Sequence, residues 1–126
     1  MFEITIEKTF AAAHALRLPD GSLEPIHGHN WPVAVTVASP ELDEIDTVMD
    51  FHILEGWLEA LLATCHNRSF NEIEPFCVGG ELRINPSAER IAQWIGDTLA
   101  AQLPSHVQLV AVALGEAPGC TAVYRP

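Results

Sequence analysis

The chain has 126 residues, 48% of them hydrophobic, which is enough for one domain with a real core and too short for two. Six lysines and arginines stand against 17 aspartates and glutamates, so the net charge is −11 and the protein's own field opposes binding to a phosphate backbone. We therefore expect a single domain over residues 1–126 and no nucleic-acid partner.

The sequence also argues against export and membrane insertion. No apolar run approaches the roughly 20 residues that a membrane-spanning helix needs, and the N-terminus lacks a basic segment followed by an apolar one. Cys65, Cys77 and Cys120 are widely spaced and odd in number, so they predict neither a disulfide framework nor a thiolate metal site. We expect a cytoplasmic protein without membrane contact, in which the cysteines are small apolar side chains.

Two strands are predicted at the start of the chain. Phe2, Ile4 and Ile6 alternate with polar residues, and this half-buried strand continues through Phe10 and carries His14 near its end. In the second strand, period-2 alternation puts one set of residues on a common face: His27, His29, Trp31, Val33, Val35 and Val37.

Two helices and two further strands are predicted next. An acidic turn precedes Asp50, a candidate helix cap, and apolar residues then follow helical spacing from Phe51 to Cys65. Asn85-Pro86-Ser87 is typical of a helix start, and an apolar stripe continues from Ala88 to Leu103. The last two strands, over 107–114 and 121–124, are expected to pair across the turn at 115–119.

The predicted strands carry apolar residues on both faces, whereas two helices on one side cover only one face. In so short a chain the economical solution is self-association, with the sheets of several subunits facing a shared interior.

His14, His27 and His29 are candidate metal ligands. His27 and His29 point the same way on a strand, so that their ring nitrogens can converge on one ion. Three imidazoles with the fourth position left open are the arrangement of catalytic zinc. Iron or nickel would also accept this set, and a lone His-x-His is more often a pair of unrelated histidines; His14 favours the zinc site.

Five motifs together resemble the 6-pyruvoyltetrahydropterin synthase and 6-carboxytetrahydropterin synthase family over nearly the whole chain. In chain order they are Phe10-Ala11-Ala12-Ala13-His14, His27-Gly28-His29-Asn30, Asp50-Phe51 before a helix, Asn85-Pro86-Ser87-Ala88-Glu89, and Glu116 eight residues before Tyr124.

This resemblance implies an α+β tunnelling fold (T-fold), in which a four-stranded antiparallel sheet has two helices packed on one face. It also implies an oligomeric barrel of trimers that stack into a homohexamer, with active sites between subunits. Zinc would lie on His14, His27 and His29, and the substrate would be a small-molecule pterin.

Glu116 is the candidate substrate-binding residue. A pterin presents its 2-amino and N3 hydrogens side by side, and one carboxylate accepts both in paired, charge-assisted bonds. The family has Thr after this Glu, whereas this chain has Ala117, so one auxiliary contact is absent. The segment 85–89 and Asp50 are interpreted as structural helix starts.

The chain departs from the family in its candidate catalytic residues. Relatives carry a cysteine base four residues before the first histidine of the pair, where this chain has Leu23. The next residue, Glu24, resembles a branch in which Glu takes the role of that cysteine, although the alternative of a simple loop carboxylate is equally weighted.

A second departure concerns His66. Counting back from Asn71, His66 falls on the Asp and Asn67 on the His of the family's Asp-His pair. Either the loop shifts by one residue and His66 serves in proton transfer, or this half of the machinery is absent.

The leading hypothesis is a zinc-dependent lyase acting on 7,8-dihydroneopterin triphosphate. Glu24 would deprotonate the 2′-hydroxyl, and retro-aldol cleavage would release 6-hydroxymethyl-7,8-dihydropterin for folate synthesis. The alternatives are a 6-carboxy-5,6,7,8-tetrahydropterin synthase of queuosine biosynthesis and a non-catalytic metal- and pterin-binding paralogue. Phosphate contacts would fall to the scattered cations Lys8, Arg17 and Arg68.

Overall fold

A computed structural model describes all 126 residues. The elements in chain order are β1 (Phe2–His14), β2 (His27–Ser39), α1 (Phe51–Leu62), β3 (Arg68–Ser69), a 3₁₀ turn (Phe70–Glu72), β4 (Cys77–Val78), β5 (Glu81–Leu82), α2 (Ala88–Ala100), β6 (Gln108–Ala117) and β7 (Cys120–Tyr124). No helix is both long enough and apolar enough to span a bilayer.

The main sheet has the strand order β3-β1-β2-β6-β7. Its four long strands, β1, β2, β6 and β7, pair antiparallel as predicted. The two-residue strand β3 adds parallel pairing to β1 at Ala12 and Ala13, and β4 and β5 form a separate hairpin. These short strands were not predicted, because two residues carry no hydrophobic period.

Both helices begin where the capping residues predict and end earlier than expected. The Asp50 side chain accepts from the N–H of His52, and that of Ser87 accepts from the N–H of Arg90. Helix α1 ends at Leu62, short of Cys65, because the chain then turns to lay β3 beside β1. Helix α2 ends at Ala100, whereas the predicted apolar stripe ran on to Leu103.

The core lies between the helices and one face of the sheet. On β2 the predicted apolar residues from Trp31 to Val37 are at most 1% exposed, and they pack with Ile91 and Ile95 of α2. The opposite face of β1 carries Thr5, Glu7 and Thr9, all exposed. The second face of β1 is therefore polar, as the alternation of a half-buried strand predicts.

The strand register places the histidines at one end of the sheet. Strands β1 and β2 pair from His14 opposite His27 to Phe2 opposite Ser39. The largest cavity, about 1040 Å³, is lined by Phe2 and Phe51 at the other end. Twelve residues of extended chain separate the two ends by about 40 Å, so this cavity is not part of the histidine site.

Candidate metal centre

The register of β1 and β2 brings three histidines together. His14 lies opposite His27, and His29 lies opposite Ala12 two residues along. Their ligating nitrogens lie within 4.8 Å of one another. The ring centroids are 4.7 Å apart for His14 and His27, 5.2 Å for His14 and His29, and 4.9 Å for His27 and His29.

The hydrogen bonds of the imidazoles leave nitrogens free to face a cation. His14 Nδ1 donates to the carbonyl of Pro86 at 2.7 Å and His27 Nδ1 to that of Pro25 at 2.9 Å, because a carbonyl can only accept. In both rings Nε2 therefore keeps its lone pair. The Nε2 atoms of His14 and His29 are buried without a hydrogen-bond partner. Such orphaned nitrogens are what an ion would satisfy, and three imidazoles suit zinc, so the residues present fit the metal.

Trp31 packs against two of the three histidines. Its ring centroid lies 5.0 Å from that of His14 and 5.1 Å from that of His29, in edge contacts. Its indole N–H donates to the carbonyl of Ala12 at 3.0 Å, and the residue is fully buried. This packing fixes the orientation of two of the three imidazoles.

Burial lowers the pKa of His29 below its ordinary value, and the neighbouring imidazole of His14 lowers it further, because a proton on His29 would face a second basic ring. The carboxylates of Glu116 and Glu24 act in the opposite direction. Since only the neutral imidazole ligates a metal, a lowered pKa keeps His29 competent to bind at neutral pH.

Two asparagines hold the backbone that follows His14. Asn71 accepts from the N–H of Ala15 at 2.8 Å and donates to its carbonyl at 2.7 Å. Asn85 does the same for Arg17, at 2.7 and 3.0 Å. Each side-chain amide thus makes the pair of hydrogen bonds that a neighbouring strand would make. These bonds hold the chain segment that follows His14 in place.

Glu24 also holds the segment that follows His14, and it lies near the histidine cluster. Its Oε1 accepts from the N–H of Leu16 at 2.9 Å, and its own N–H donates to the carbonyl of Leu16 at 2.9 Å. One carboxylate oxygen is thereby anchored, while its charge acts on His29. Leu23, in the place of the family's cysteine, is 51% exposed.

Glu116 lies between the histidines and a cavity. Its Oε1 is 3.1 Å from His14 Nε2 and 4.0 Å from His29 Nε2. It also lines a cavity of about 420 Å³ together with Glu89 at the start of α2. The sequence interpretation treated the segment 85–89 as a helix start and did not predict that Glu89 lies beside the same cavity as Glu116.

His66 does not join the cluster within one chain. It lies at the outer edge of β1, where its Nδ1 accepts from the N–H of Ala11 at 3.1 Å. The next residue, Asn67, has a φ of 59° and donates its N–H to the Ala11 carbonyl at 2.7 Å. His66 is therefore not among the residues that the structure brings together at this centre.

Cys65 cannot replace the base that is absent at Leu23. It is fully buried, and burial raises the pKa of its thiol to about 11. It is therefore protonated at neutral pH and inert, as expected for a cysteine that fills the core.

His14, His27 and His29 thus form, at one end of the sheet and beside two carboxylates, a cluster that could hold a metal ion. The family model for 6-pyruvoyl tetrahydropterin synthase matches residues 3–126. The chain belongs to this family, as its motifs predicted, and its fold is the α+β T-fold of that family.

Three similar proteins illustrate the range within the family. The 6-carboxy-5,6,7,8-tetrahydropterin synthase of Bacillus subtilis is 30% identical over 132 residues, covering 99% of this chain and 86% of that protein. The dihydroneopterin monophosphate aldolase of Pyrococcus furiosus is 30% identical over 113 residues, covering 90% and 88%. The structure of the Caenorhabditis elegans 6-pyruvoyl tetrahydropterin synthase has a TM-score of 0.78 at 24% identity, covering 100% of this chain and 97% of the other.

Proposed function

We propose that this protein is a zinc-dependent aldolase that cleaves the side chain of a phosphorylated 7,8-dihydroneopterin and releases 6-hydroxymethyl-7,8-dihydropterin for folate synthesis. The observation that carries the proposal is Glu24, a carboxylate held beside the histidine cluster where the family's thiol is missing. The similarity to the aldolase of Pyrococcus furiosus supports the same reaction type.

Each residue of the centre has a distinct task in this reaction. A zinc ion on His14, His27 and His29 would act as a Lewis acid on the hydroxyls of the substrate. Glu116 accepts hydrogen bonds from the 2-amino and N3 groups of the pterin and so orients the side chain. Glu24 takes the proton of the 2′-hydroxyl, since its Oε2 is free of the bond that anchors Oε1.

The reaction balances without an oxidant or reductant. As the O–H bond breaks, C2′ becomes an aldehyde carbon, and the C1′–C2′ bond gives its electron pair to C1′. The neighbouring C6–N5 double bond of the dihydropterin delocalises this pair. The proton held by Glu24 returns to C1′, and the products are the hydroxymethylpterin and a phosphorylated glycolaldehyde.

For the phosphates, Arg68 is better placed than Lys8. It shares a groove of about 610 Å³ with His29 and Asn67. Lys8 is bound to Glu55 and Glu59 of α1 at 3.1 and 2.8 Å, so its charge is already compensated. We propose that Arg68 contacts the phosphate of the substrate.

The working enzyme is proposed to be a homo-oligomer, as a dimer of trimers. Strand β7 ends the sheet, and β1 is paired on its outer side only at Ala12 and Ala13, so two edges are available to other copies. Association along these edges would also let His66 of one copy approach the centre of another, where it serves in proton transfer.

The test compares wild-type protein with Glu24→Gln, both loaded with zinc and incubated with the mono- and triphosphates of 7,8-dihydroneopterin. The amide keeps the acceptor for the Leu16 N–H and removes the base, so we expect kcat to fall by about 10²–10⁴-fold. Glu44→Gln, at an exposed loop position, is the matched control and should leave kcat unchanged. Products are separated by chromatography with fluorescence detection.

The products also distinguish the alternatives. Mainly 6-carboxytetrahydropterin would favour the activity named for the Bacillus subtilis relative. Pterin binding with no product above a metal-free control would indicate a non-catalytic paralogue. Full activity in Glu24→Gln would exclude Glu24 as the base.

A further inference from the structure

The carboxylate of Glu116 and the imidazole of His14 face each other with two hydrogen-bond acceptors, so a cation between them would stabilise the contact. His14 donates through Nδ1, so its Nε2 presents a lone pair to Glu116 Oε1 at 3.1 Å. Two acceptors at this separation repel each other. The buried Nε2 has no hydrogen-bond partner, so the angle does not suit a shared proton.

The spacing of these atoms suits ligands of one metal ion. Zinc bonds to nitrogen and oxygen of roughly 2.0–2.1 Å place two corners of a tetrahedron about 3.3–3.4 Å apart. The distances from Glu116 Oε1 to Nε2 of His14 and of His29, 3.1 and 4.0 Å, lie on either side of this value. The carboxylate is therefore positioned as a fourth donor.

The backbone at Glu116 departs from the regular strand, which changes the direction in which its side chain points. Gly115 pairs with Thr121 and Ala117 with Cys120, so Glu116 is the extra residue of a β-bulge. Bulges redirect side chains and occur next to active sites. Glu116 also lines the 420 Å³ cavity with Glu89, and its side chain keeps 37% exposure, so it has room to turn.

We propose that Glu116 is a two-position carboxylate: it is the fourth metal ligand in the substrate-free protein, and the pterin ring draws it into the adjacent cavity. This inference rests on the metal and the pterin of the proposed function. Glu116 would leave the metal only when a pterin ring is bound. The coordination position that it vacates would then be open to a hydroxyl of the substrate's side chain. Glu116 thereby couples ring recognition to activation and excludes diols that lack the ring.

The first experiment measures zinc affinity by chelator competition. Loss of a direct ligand in Glu116→Gln should weaken binding by at least about tenfold, the lower end of what even outer contacts contribute. Glu89→Gln is the matched control, since it lines the same cavity without a contact to the imidazole nitrogens. It should bind zinc like the wild type.

The second experiment uses Co²⁺ in place of zinc and 6-methylpterin, a ring without side-chain hydroxyls, as the probe. We expect this probe to change the visible d–d absorption of the wild type, because Glu116 leaves the metal. The Glu116→Gln spectrum should differ from wild type before the probe is added and should not change after it.

The outcomes separate this inference from the proposed function. Equal zinc affinity of Glu116→Gln and wild type, or a wild-type spectrum that 6-methylpterin leaves unchanged, overturns the two-position carboxylate even if aldolase activity is found. If the zinc affinities and the spectra are as expected but no substrate is turned over, the two-position carboxylate is supported and the aldolase proposal fails. A wild type that binds no metal overturns both.

Discussion

Asn71 and Asn85 show how single side chains set the position of the metal centre. Each amide satisfies both backbone groups of a residue just after His14. Ala15, the residue that Asn71 holds, is fully buried, so water cannot replace the amide. These contacts span more than 50 residues of sequence, and no local pattern announces them.

Asn71→Ala is expected to lower the free energy of unfolding by about 1–3 kcal/mol for each buried group left without a partner. It should also weaken zinc binding, because Ala15 adjoins His14. Urea denaturation of the metal-free protein and chelator competition measure the two effects. Gln102→Ala, at an exposed position after α2, is the control and should change neither quantity much. Equal stability of both variants would contradict the structural role of Asn71.

At the scale of elements, Gly96 decides how closely α2 packs on the sheet. A Cβ at this position would lie 2.8 Å from Tyr124 Cδ1 and 3.0 Å from Leu109 Cδ2. Gly56 is its counterpart in α1, where a Cβ meets no atom within 4 Å. The two helices therefore respond in opposite ways to the same substitution.

Gly56→Ala should raise the free energy of unfolding by up to about 1 kcal/mol, through better helix propensity alone. Gly96→Ala gains the same propensity but overpacks the contact with β6 and β7, at a cost of about 1–3 kcal/mol, so it should destabilise the protein. Thermal denaturation of the two variants decides; stabilisation by Gly96→Ala would show that Tyr124 moves aside easily.

The sequence predicted the secondary-structure elements in which a hydrophobic period extends over many residues. It did not predict elements whose bounds depend on contacts with residues distant in the chain. The alternation in β1 and β2 was enough to align His27 with His29, and their register then brought in His14. The last turns of both helices and the short strands β3, β4 and β5 are decided by tertiary packing. The anchoring of Glu24 on Leu16 was likewise beyond any local pattern.

For the whole molecule, the open sheet edges bear on assembly. Val123 lies on β7, the strand that ends the sheet, and is 51% exposed. Val78 is similarly exposed, at 43%, but belongs to the separate β4–β5 hairpin. The two valines are thus a matched pair for testing which surface joins subunits.

Val123→Lys is expected to reduce the oligomer to smaller species, because a lysine on an edge strand opposes further pairing. Val78→Lys should keep the wild-type mass. Analytical ultracentrifugation of the three proteins measures the result, and an unchanged mass for Val123→Lys would exclude β7 as a subunit contact.

Trp31 gives the centre an optical signal of its own. Its indole is fully buried against His14 and His29, whereas Trp57 and Trp94 are only partly buried and pack elsewhere around the core. An ion held by these two imidazoles would place a positive charge close to the indole ring. Emission from Trp31 should therefore change when the histidines bind an ion, so occupancy can be followed in solution without a label.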